Sequence, residues 1–132
     1  MIEVYVDGAS QGNPGPSGVG IYIKAKANQY EYSIPLETHS NHEAEFIAVI
    51  KALDICLDQF PNDILSFRSD SQIVVDAIEE EYTKNHEFKP FLDEIMEKGS
   101  HFPLYFIKWI PNKQNHHADR LAKQAIHQHN KS

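Results

Sequence analysis

The order in which the apolar patterns change period is the feature that most constrains the fold of this chain. Near the N-terminus, three segments alternate apolar with polar residues and are joined by short links. After residue 40, segments with the apolar spacing of a helix alternate with short strand-like segments. Strands in direct succession predict an antiparallel meander, whereas strands separated by helices predict parallel crossovers. The sequence therefore predicts an α/β fold whose five-stranded mixed sheet has helices on its faces.

The predicted elements follow the order βββαβααβα. Ile2, Val4 and Val6 define a first strand that is expected to end at the turn Asp7-Gly8, and the Gly- and Pro-rich residues 10–18 are expected to form a loop. The other strands are predicted at residues 19–23, 29–36, 64–69 and 104–110, and the helices at residues 40–59, 71–81, 88–98 and 115–128.

Composition limits the class of protein. The 132 residues are 41 % apolar and 23 % charged, which predicts one globular domain over residues 1–132. No segment approaches the ~20 consecutive apolar residues of a membrane-spanning helix, and the N-terminus lacks the pattern of a signal peptide. Cys56 is the single cysteine and is expected to be a small buried side chain. These features predict a cytoplasmic protein without a membrane partner.

The charge distribution is uneven along the chain. The net charge of −7 does not by itself suggest a partner made of phosphates. However, residues 1–97 carry 18 acidic and 6 basic side chains, whereas residues 98–132 carry six basic side chains, one acidic side chain and five of the eight histidines. This C-terminal segment is either a solvated basic tail or an edge that faces phosphates.

Four carboxylates occupy places where the functional residues of α/β proteins lie, near the ends of strands. Asp7 and Asp70 follow predicted strands, Glu45 lies one turn into the first helix, and Asp119 lies near the start of the last helix. Each has an ordinary alternative role: Asp7 as a turn residue, Asp70 as a helix N-cap, Glu45 as a solvated side chain, and Asp119 as an acid at the positive end of a helix. Glu43 is set apart because its spacing from Ser40 predicts a capping box.

A cluster of these four acids would require a cation, because like charges in proximity raise one another's pKa. Oxygen ligands favour Mg²⁺ or Mn²⁺ over zinc, and two such ions about 3.5–4 Å apart can activate water and stabilise the leaving oxygen of a phosphodiester. The sequence contains neither the Cys/His spacing of a zinc site nor a Gly-x-Ser-x-Gly or Walker motif.

Four segments of the chain, taken in order, resemble the type 1 ribonuclease H family. They are Asp7-Gly8-Ala9-Ser10-x-Gly12-Asn13-Pro14-Gly15-Pro16-x-Gly18, residues 40–46 (SNHEAEF), residues 69–74 (SDSQIV) and Asn115-x-x-Ala118-Asp119-x-Leu121-Ala122. Each motif is weak alone, but together they extend from the first strand to the last helix. The resemblance implies a ribonuclease H-like sheet of order 3-2-1-4-5 with strand 2 antiparallel to the others.

The resemblance also implies an activity and a site. The expected activity is endonucleolytic cleavage of the RNA strand of RNA–DNA hybrids, leaving 5′-phosphate and 3′-hydroxyl ends. The catalytic metal ligands implied are Asp7, Glu45, Asp70 and Asp119, with two Mg²⁺ or Mn²⁺ ions bound alongside the substrate. Substrate contacts are implied at Gly12, Asn13, Ser40, Asn41 and Gln72, although the loop and helix-start positions also have ordinary turn and capping explanations. No obligate protein partner is implied, and a monomer is expected.

Three departures from the family pattern qualify the resemblance. Residues 109–115 contain no histidine, although many members have one in this loop; residues 79–87 are acidic where some members have a basic protrusion; and His42 replaces a usual Asn. We therefore expect weak, salt-sensitive binding of the hybrid. The alternatives are a non-catalytic or weakly active hybrid-binding homologue, and a resolvase- or transposase-type nuclease of the same fold.

Overall fold

The computed structural model describes the backbone of residues 1–131 and the side chains of residues 1–128, so the side chains of His129 and Lys131 in the basic C-terminal segment lie outside it. The strands are β1 (Ile2–Ser10), β2 (Gly15–Ala25), β3 (Asn28–His39), β4 (Leu65–Ser69) and β5 (Tyr105–Trp109). The helices are α1 (Asn41–Gln59), α2 (Gln72–Glu80), α3 (Lys89–Gly99) and α4 (His116–Lys131), and a 3₁₀ turn lies at Asn112–Gln114.

The five strands form one sheet in the order β3-β2-β1-β4-β5. β2 is antiparallel to β1 and β3, whereas β1, β4 and β5 are parallel to one another. The predicted fold class, including the antiparallel second strand, is confirmed. Because β1 and β4 are parallel neighbours, the residues at their carboxyl ends meet at the same edge of the sheet.

Helices cover both faces of the sheet, and glycines let them approach closely. A Cβ at Gly8 would lie 2.2 Å from the Ala44 carbonyl carbon of α1, and a Cβ at Gly20 would lie 2.0 Å from the Ala118 carbonyl oxygen of α4. α2 and α3 pack beside α1. The core lies mainly between the sheet and α1, where Val4, Val6, Ile21, Phe46 and Leu53 are almost completely buried. None of the helices in residues 1–131 combines the length and apolarity needed to span a bilayer.

The predicted turn at Asp7-Gly8 is wrong, because β1 continues through it to Ser10. Gly8, Ala9 and Ser10 pair with Val19, Gly18 and Ser17 of β2, so the connecting loop contains only residues 11–14. The glycines here do not mark a turn; Gly8 and Gly18 provide room for α1 and α4 against the sheet. Asp7 is consequently a strand residue that is only 9 % exposed.

The start of α1 has the predicted capping box. The Ser40 hydroxyl accepts a hydrogen bond from the Glu43 N–H, and the Glu43 carboxylate accepts one from the Ser40 N–H at 2.9 Å. Cys56, farther along α1, is fully buried, and burial raises the pKa of its thiol to about 12. It therefore packs as a small apolar side chain, as predicted.

Candidate active site

Three carboxylates from three different elements converge at the edge of the sheet. Asp7 belongs to β1, Glu45 to the first turns of α1, and Asp70 directly follows β4. One oxygen of each lies within 4.8 Å of the others. The elements explain this convergence, since parallel β1 and β4 bring Asp7 and Asp70 side by side and Gly8 lets α1 carry Glu45 against the sheet. Asp70 is not the N-cap of α2, because Ser71 caps that helix.

Asp7 is the most perturbed carboxyl group of the cluster. Burial away from water raises its pKa from an ordinary 3.8 to about 8, with further contributions from the charges of Asp70, Asp119 and Glu45 and from a hydrogen bond shared with Asp119. In the absence of a cation, this group therefore holds a proton at neutral pH. The arrangement is unfavourable for four free carboxylates and favourable for a positive ion among them.

Asp119 lies beside Asp7 but outside the group of three. It belongs to the first turn of α4, and its Oδ2 is 3.0 Å from the Lys123 Nζ one turn later. The structure thus brings all four predicted acids into one region, with Asp7 at its centre and Asp119 held partly by a lysine. Asp119 is more exposed than Glu45, with 31 % of its side chain accessible against 16 %.

The pKa of Glu45 is raised overall, with burial as the largest cause and two contacts opposing it. Burial raises its pKa, whereas a hydrogen bond with Ser71 and the nearby His42 lower it. The His42 Nδ1 lies 3.2 Å from the Glu45 Oε1. The replacement of the family's usual Asn by His42 therefore places a titratable group directly against one of the clustered carboxylates.

The segment after β5 supplies a contact that sequence reasoning missed. Asn112, in the 3₁₀ turn, donates from its Nδ2 to the Asp70 Oδ2 at 2.8 Å, and the Trp109 indole donates to the Asp70 carbonyl oxygen at 3.2 Å. Three residues later, the buried Asn115 donates to the Val6 carbonyl oxygen at 2.9 Å. This segment therefore attaches to both central strands beside Asp7 and Asp70. Asn115 belongs to the fourth motif quoted from the sequence, whereas nothing local indicated the contact of Asn112, because Asp70 lies 42 residues from it along the chain.

The predicted substrate residues Asn13 and Asn41 are linked by a hydrogen bond. The Asn41 N–H donates to the Asn13 Oδ1 at 2.9 Å, and the Asn41 Oδ1 accepts from the Ser10 N–H at 3.0 Å. Gly12 precedes them with a positive φ of 96°, a conformation that favours glycine. The loop and the start of α1 are thus connected on the side of the sheet edge where Glu45 enters.

The other two predicted substrate residues already have partners within their own helices. The Ser40 hydroxyl caps α1, and the Gln72 amide donates to the Asp76 Oδ1 of α2 at 2.7 Å. His117, two residues before Asp119 in α4, stacks on Tyr22, with ring centroids 4.3 Å apart. Tyr22 pairs with Tyr5, two residues before Asp7 in β1, so His117 packs over a different part of the sheet.

The donor set fits a hard divalent cation. All three clustered ligands are carboxylate oxygens, which suit Mg²⁺ or Mn²⁺. Burial, and after it the charges of the neighbouring acids, raise the pKa of Asp7, and a bound cation would offset both. Among residues 1–128, this is the one group of acids, histidines and cysteines close enough together to hold a metal ion. Asp7, Glu45 and Asp70 would hold the ion, with Asp119 within reach of Asp7.

Comparison with known proteins agrees with the fold and the site. A family model described as RNase H matches residues 1–127. EbsB of Enterococcus faecalis, which is provisionally named a hydrolase, is 42 % identical over 127 residues that cover 96 % of this chain and 94 % of that protein. A ribonuclease H of Desulforamulus reducens is 29 % identical over 145 residues, covering 98 % of this chain and 89 % of the relative.

Solved structures show the same architecture. RNase H1 of the archaeon Halobacterium salinarum superposes with a TM-score of 0.90 at 30 % identity, covering 96 % of this chain and 98 % of that one. LC11-RNase H1, solved in complex with an RNA/DNA hybrid, superposes with a TM-score of 0.90 at 28 % identity, covering 97 % and 98 %. The chain belongs to the RNase H family, whose fold is that of hydrolases acting on nucleic acids.

Proposed function

We propose that this protein is a divalent-metal-dependent endonuclease that hydrolyses the RNA strand of RNA–DNA hybrids, leaving 5′-phosphate and 3′-hydroxyl ends. The observation that carries the proposal is the convergence of Asp7, Glu45 and Asp70 within 4.8 Å, in a chain of the RNase H family. A relative of the same fold has been captured on an RNA/DNA hybrid, which supports this substrate.

Each acid has a distinct task in the proposed reaction. Asp7 on β1 and Asp70 directly after the parallel strand β4 would be the central ligands of the Mg²⁺ or Mn²⁺ ions, Glu45 would serve one ion, and Asp119 would serve the other. Bound divalent ions would supply activation of the attacking water and stabilisation of the leaving 3′-oxygen. Asn112 keeps one oxygen of Asp70 in a fixed direction by donating to it.

Recognition of RNA depends on the 2′-hydroxyl, which a protein reads with short polar groups. The Asn13 Oδ1 accepts from the Asn41 N–H and the Asn41 Oδ1 accepts from the Ser10 N–H, which leaves both amide nitrogens to donate to a sugar or phosphate. Gly12 allows the loop backbone to approach a strand closely. We therefore assign the rim formed by Gly12, Asn13, Ser40, Asn41 and Gln72 to the hybrid, with Asn13 and Asn41 as its best-oriented members.

Cleavage of a hybrid with a labelled RNA strand tests the activity. The wild-type protein should cut it in Mg²⁺ or Mn²⁺ and leave duplex DNA intact, and Asp70→Asn should lower the rate by at least about a thousandfold because a charged central ligand is lost. Asp58→Asn is the matched control, since Asp58 is an exposed acid near the far end of α1. Circular dichroism should show both variants folded.

Three results would contradict the proposal. A wild-type protein that binds the hybrid in a mobility assay without cutting it, across a range of Mg²⁺ and Mn²⁺ concentrations, would be a non-catalytic homologue. Preferential cleavage of branched DNA, tested beside the hybrid and double-stranded RNA, would instead identify a resolvase-type nuclease. Equal loss of activity in Asp58→Asn and Asp70→Asn would remove the special role of the acid cluster.

A further inference from the structure

One part of the sheet next to the acid cluster is not covered by a helix. On the face that carries Asp7, α4 packs over β1, β2 and β3 and begins at the level of Gly20, which pairs with Asp7. Beyond its N-terminus, toward β4 and β5, Phe106 remains 39 % exposed and Lys108 is also exposed. We call the residues Tyr5, Lys24, Arg68, Phe106 and Lys108 the open face.

The register of the sheet places the open face directly beside the carboxylates. Tyr5 pairs with Arg68, and Arg68 pairs with Lys108, so these residues form one row across β1, β4 and β5. This row lies two residues before Asp7 on β1 and two before Asp70 on β4. Two residues span about 6.7 Å along a strand and adjacent strands are about 4.8 Å apart, so the backbone at Lys108 is about 8 Å from that at Asp70.

The open face has a fixed aromatic floor. The Arg68 Nη1 lies 2.6 Å from the Glu3 Oε1 and 3.1 Å from the Tyr5 hydroxyl, and its guanidinium lies over the Tyr5 ring at 5.4 Å. Lys24 extends over the same ring, with its Nζ 5.7 Å from the centroid. These contacts fix the Tyr5 ring, and the charged ends of Arg68 and Lys24 lie along the surface beside it.

The charge of the open face differs from that of the whole molecule. The pair between Arg68 and Glu3 is neutral, whereas Lys24 and Lys108 have no ion-pair partner within the described part of the chain. Lys108 thus lies two residues from the level of the carboxylates, and Lys24, which pairs with Glu3 in the sheet register, lies four residues from it, on a chain whose net charge is −7. The polar link between α2 and α3 carries Glu81 and Glu87, so it does not attract phosphates as the two lysines do.

We propose that the open face is a second nucleic-acid contact, on which Lys108 and Lys24 bind the sugar–phosphate backbone of the hybrid outside the cleaved step. The occupant is a nucleic-acid backbone because the lysines offer point charges over a flat floor, which suits phosphates, and because the row continues from the acid cluster. A phosphate recurs every 3.4 Å along the axis of each strand, so the distance to Lys108 corresponds to about two nucleotides. This inference rests on the proposed function and names a further part of the same substrate site.

The test compares charge reversals on the two sides of the sheet. Lys108→Glu, Lys24→Glu and the double variant change the open face, and Lys51→Glu on α1, which packs on the opposite face, is the matched control. Each open-face variant should raise KM for the hybrid about three- to tenfold with kcat unchanged at saturating hybrid. The dependence of log KM on log salt should become shallower by about 0.9 for each lost contact.

Binding to a labelled hybrid without divalent metal, followed by fluorescence anisotropy, separates this inference from the proposed function. If Lys108→Glu weakens this metal-free binding while the wild-type protein also fails to cut the hybrid after Mg²⁺ or Mn²⁺ is added, the open-face proposal is supported although the catalytic proposal fails. If the wild-type protein cuts the hybrid but both lysine variants match Lys51→Glu in KM and salt slope, the proposal that the open face binds the hybrid is wrong. If the lysine variants differ from the wild-type protein in sedimentation coefficient but not in KM, the open face is an interface between proteins, and the proposal is also wrong.

Discussion

At the scale of single residues, the clustered carboxylates are distinguished by their immediate partners. Asp7 is surrounded by other acids and is the most buried, Glu45 is offset by His42, and Asp119 is offset by Lys123. Asp70 instead accepts a neutral amide hydrogen bond from Asn112. A neutral donor orients a metal ligand without competing for its charge, so Asn112 is a positioning residue.

Replacing Asn112 should weaken metal binding without unfolding the site. Asn112→Ala leaves Asp70 free to rotate, and we expect about tenfold more Mg²⁺ to be needed for half-maximal activity, with a matching loss of Mn²⁺ affinity in calorimetry. Gln114→Ala removes an exposed side chain from the same 3₁₀ turn and is the control. Equal metal affinity in the two variants would show that the Asn112 contact is incidental.

At the scale of elements, α1 and α4 each carry an acid to the sheet, and glycines determine how closely they approach. The Cβ of any other residue at position 20 would lie 2.0 Å from the Ala118 carbonyl oxygen and 2.5 Å from the Ala122 nitrogen. Both atoms belong to the α4 backbone, which cannot move locally without displacing Asp119. The glycine-rich sequence of β2 therefore serves the placement of the fourth acid.

Gly20→Ala should accordingly displace α4 as a unit. We expect a loss of about 2–4 kcal/mol in the free energy of unfolding and a fall in activity beyond what the unfolded fraction explains. Denaturant unfolding and hybrid cleavage at a temperature where the variant is folded measure the two effects. Ser33→Ala is the control: Ser33 pairs with Gly20 and donates to the Leu121 carbonyl oxygen at 2.6 Å, so its loss should cost about 1 kcal/mol and leave activity intact. Similar activity in both variants would show that activity does not depend on how α4 positions Asp119.

At the scale of the whole molecule, the acid cluster makes the free energy of unfolding of the metal-free protein depend on pH. The unfolded chain releases the Asp7 proton near pH 3.8, whereas the folded chain retains it to about pH 8. Between these values the unfolded state binds fewer protons, so the stability of the metal-free protein falls as the pH rises. A divalent cation replaces the proton as the neutralising charge and removes this loss.

Thermal unfolding across this range tests the electrostatic account. In the presence of a chelator, Tm should fall from pH 5 to pH 8, and Asp7→Asn should flatten the decline and raise Tm at pH 8 by about 5 °C. Mg²⁺ at pH 8 should stabilise the wild-type protein and not Asp7→Asn. Asp58→Asn, an exposed acid, should follow the wild-type curve; a decline that persists in Asp7→Asn would place its origin elsewhere in the molecule.

Local patterns in the sequence predicted most of the elements and the order of the sheet. The capping box of α1, the apolar stripe that buries Cys56 and the alternation in β1 each depend on neighbours a few residues away, and the structure confirms them. The error at Asp7-Gly8 arose because glycines that accommodate a helix have the same composition as glycines that form a turn. Only packing distinguishes the two, since the helices concerned lie far along the chain.

The sequence by itself determined the fold class, the family resemblance and the identity of the four candidate acids, because these depend on local spacing and on motifs that remain contiguous. The tertiary structure alone decided which acids converge, that Asp7 is a buried strand residue, and that Asn112 donates to Asp70. It also placed Lys108 beside the acid cluster through strand register. The physical reason is that burial, pKa and register arise from contacts between residues distant in sequence, whereas propensity and capping act over a few residues.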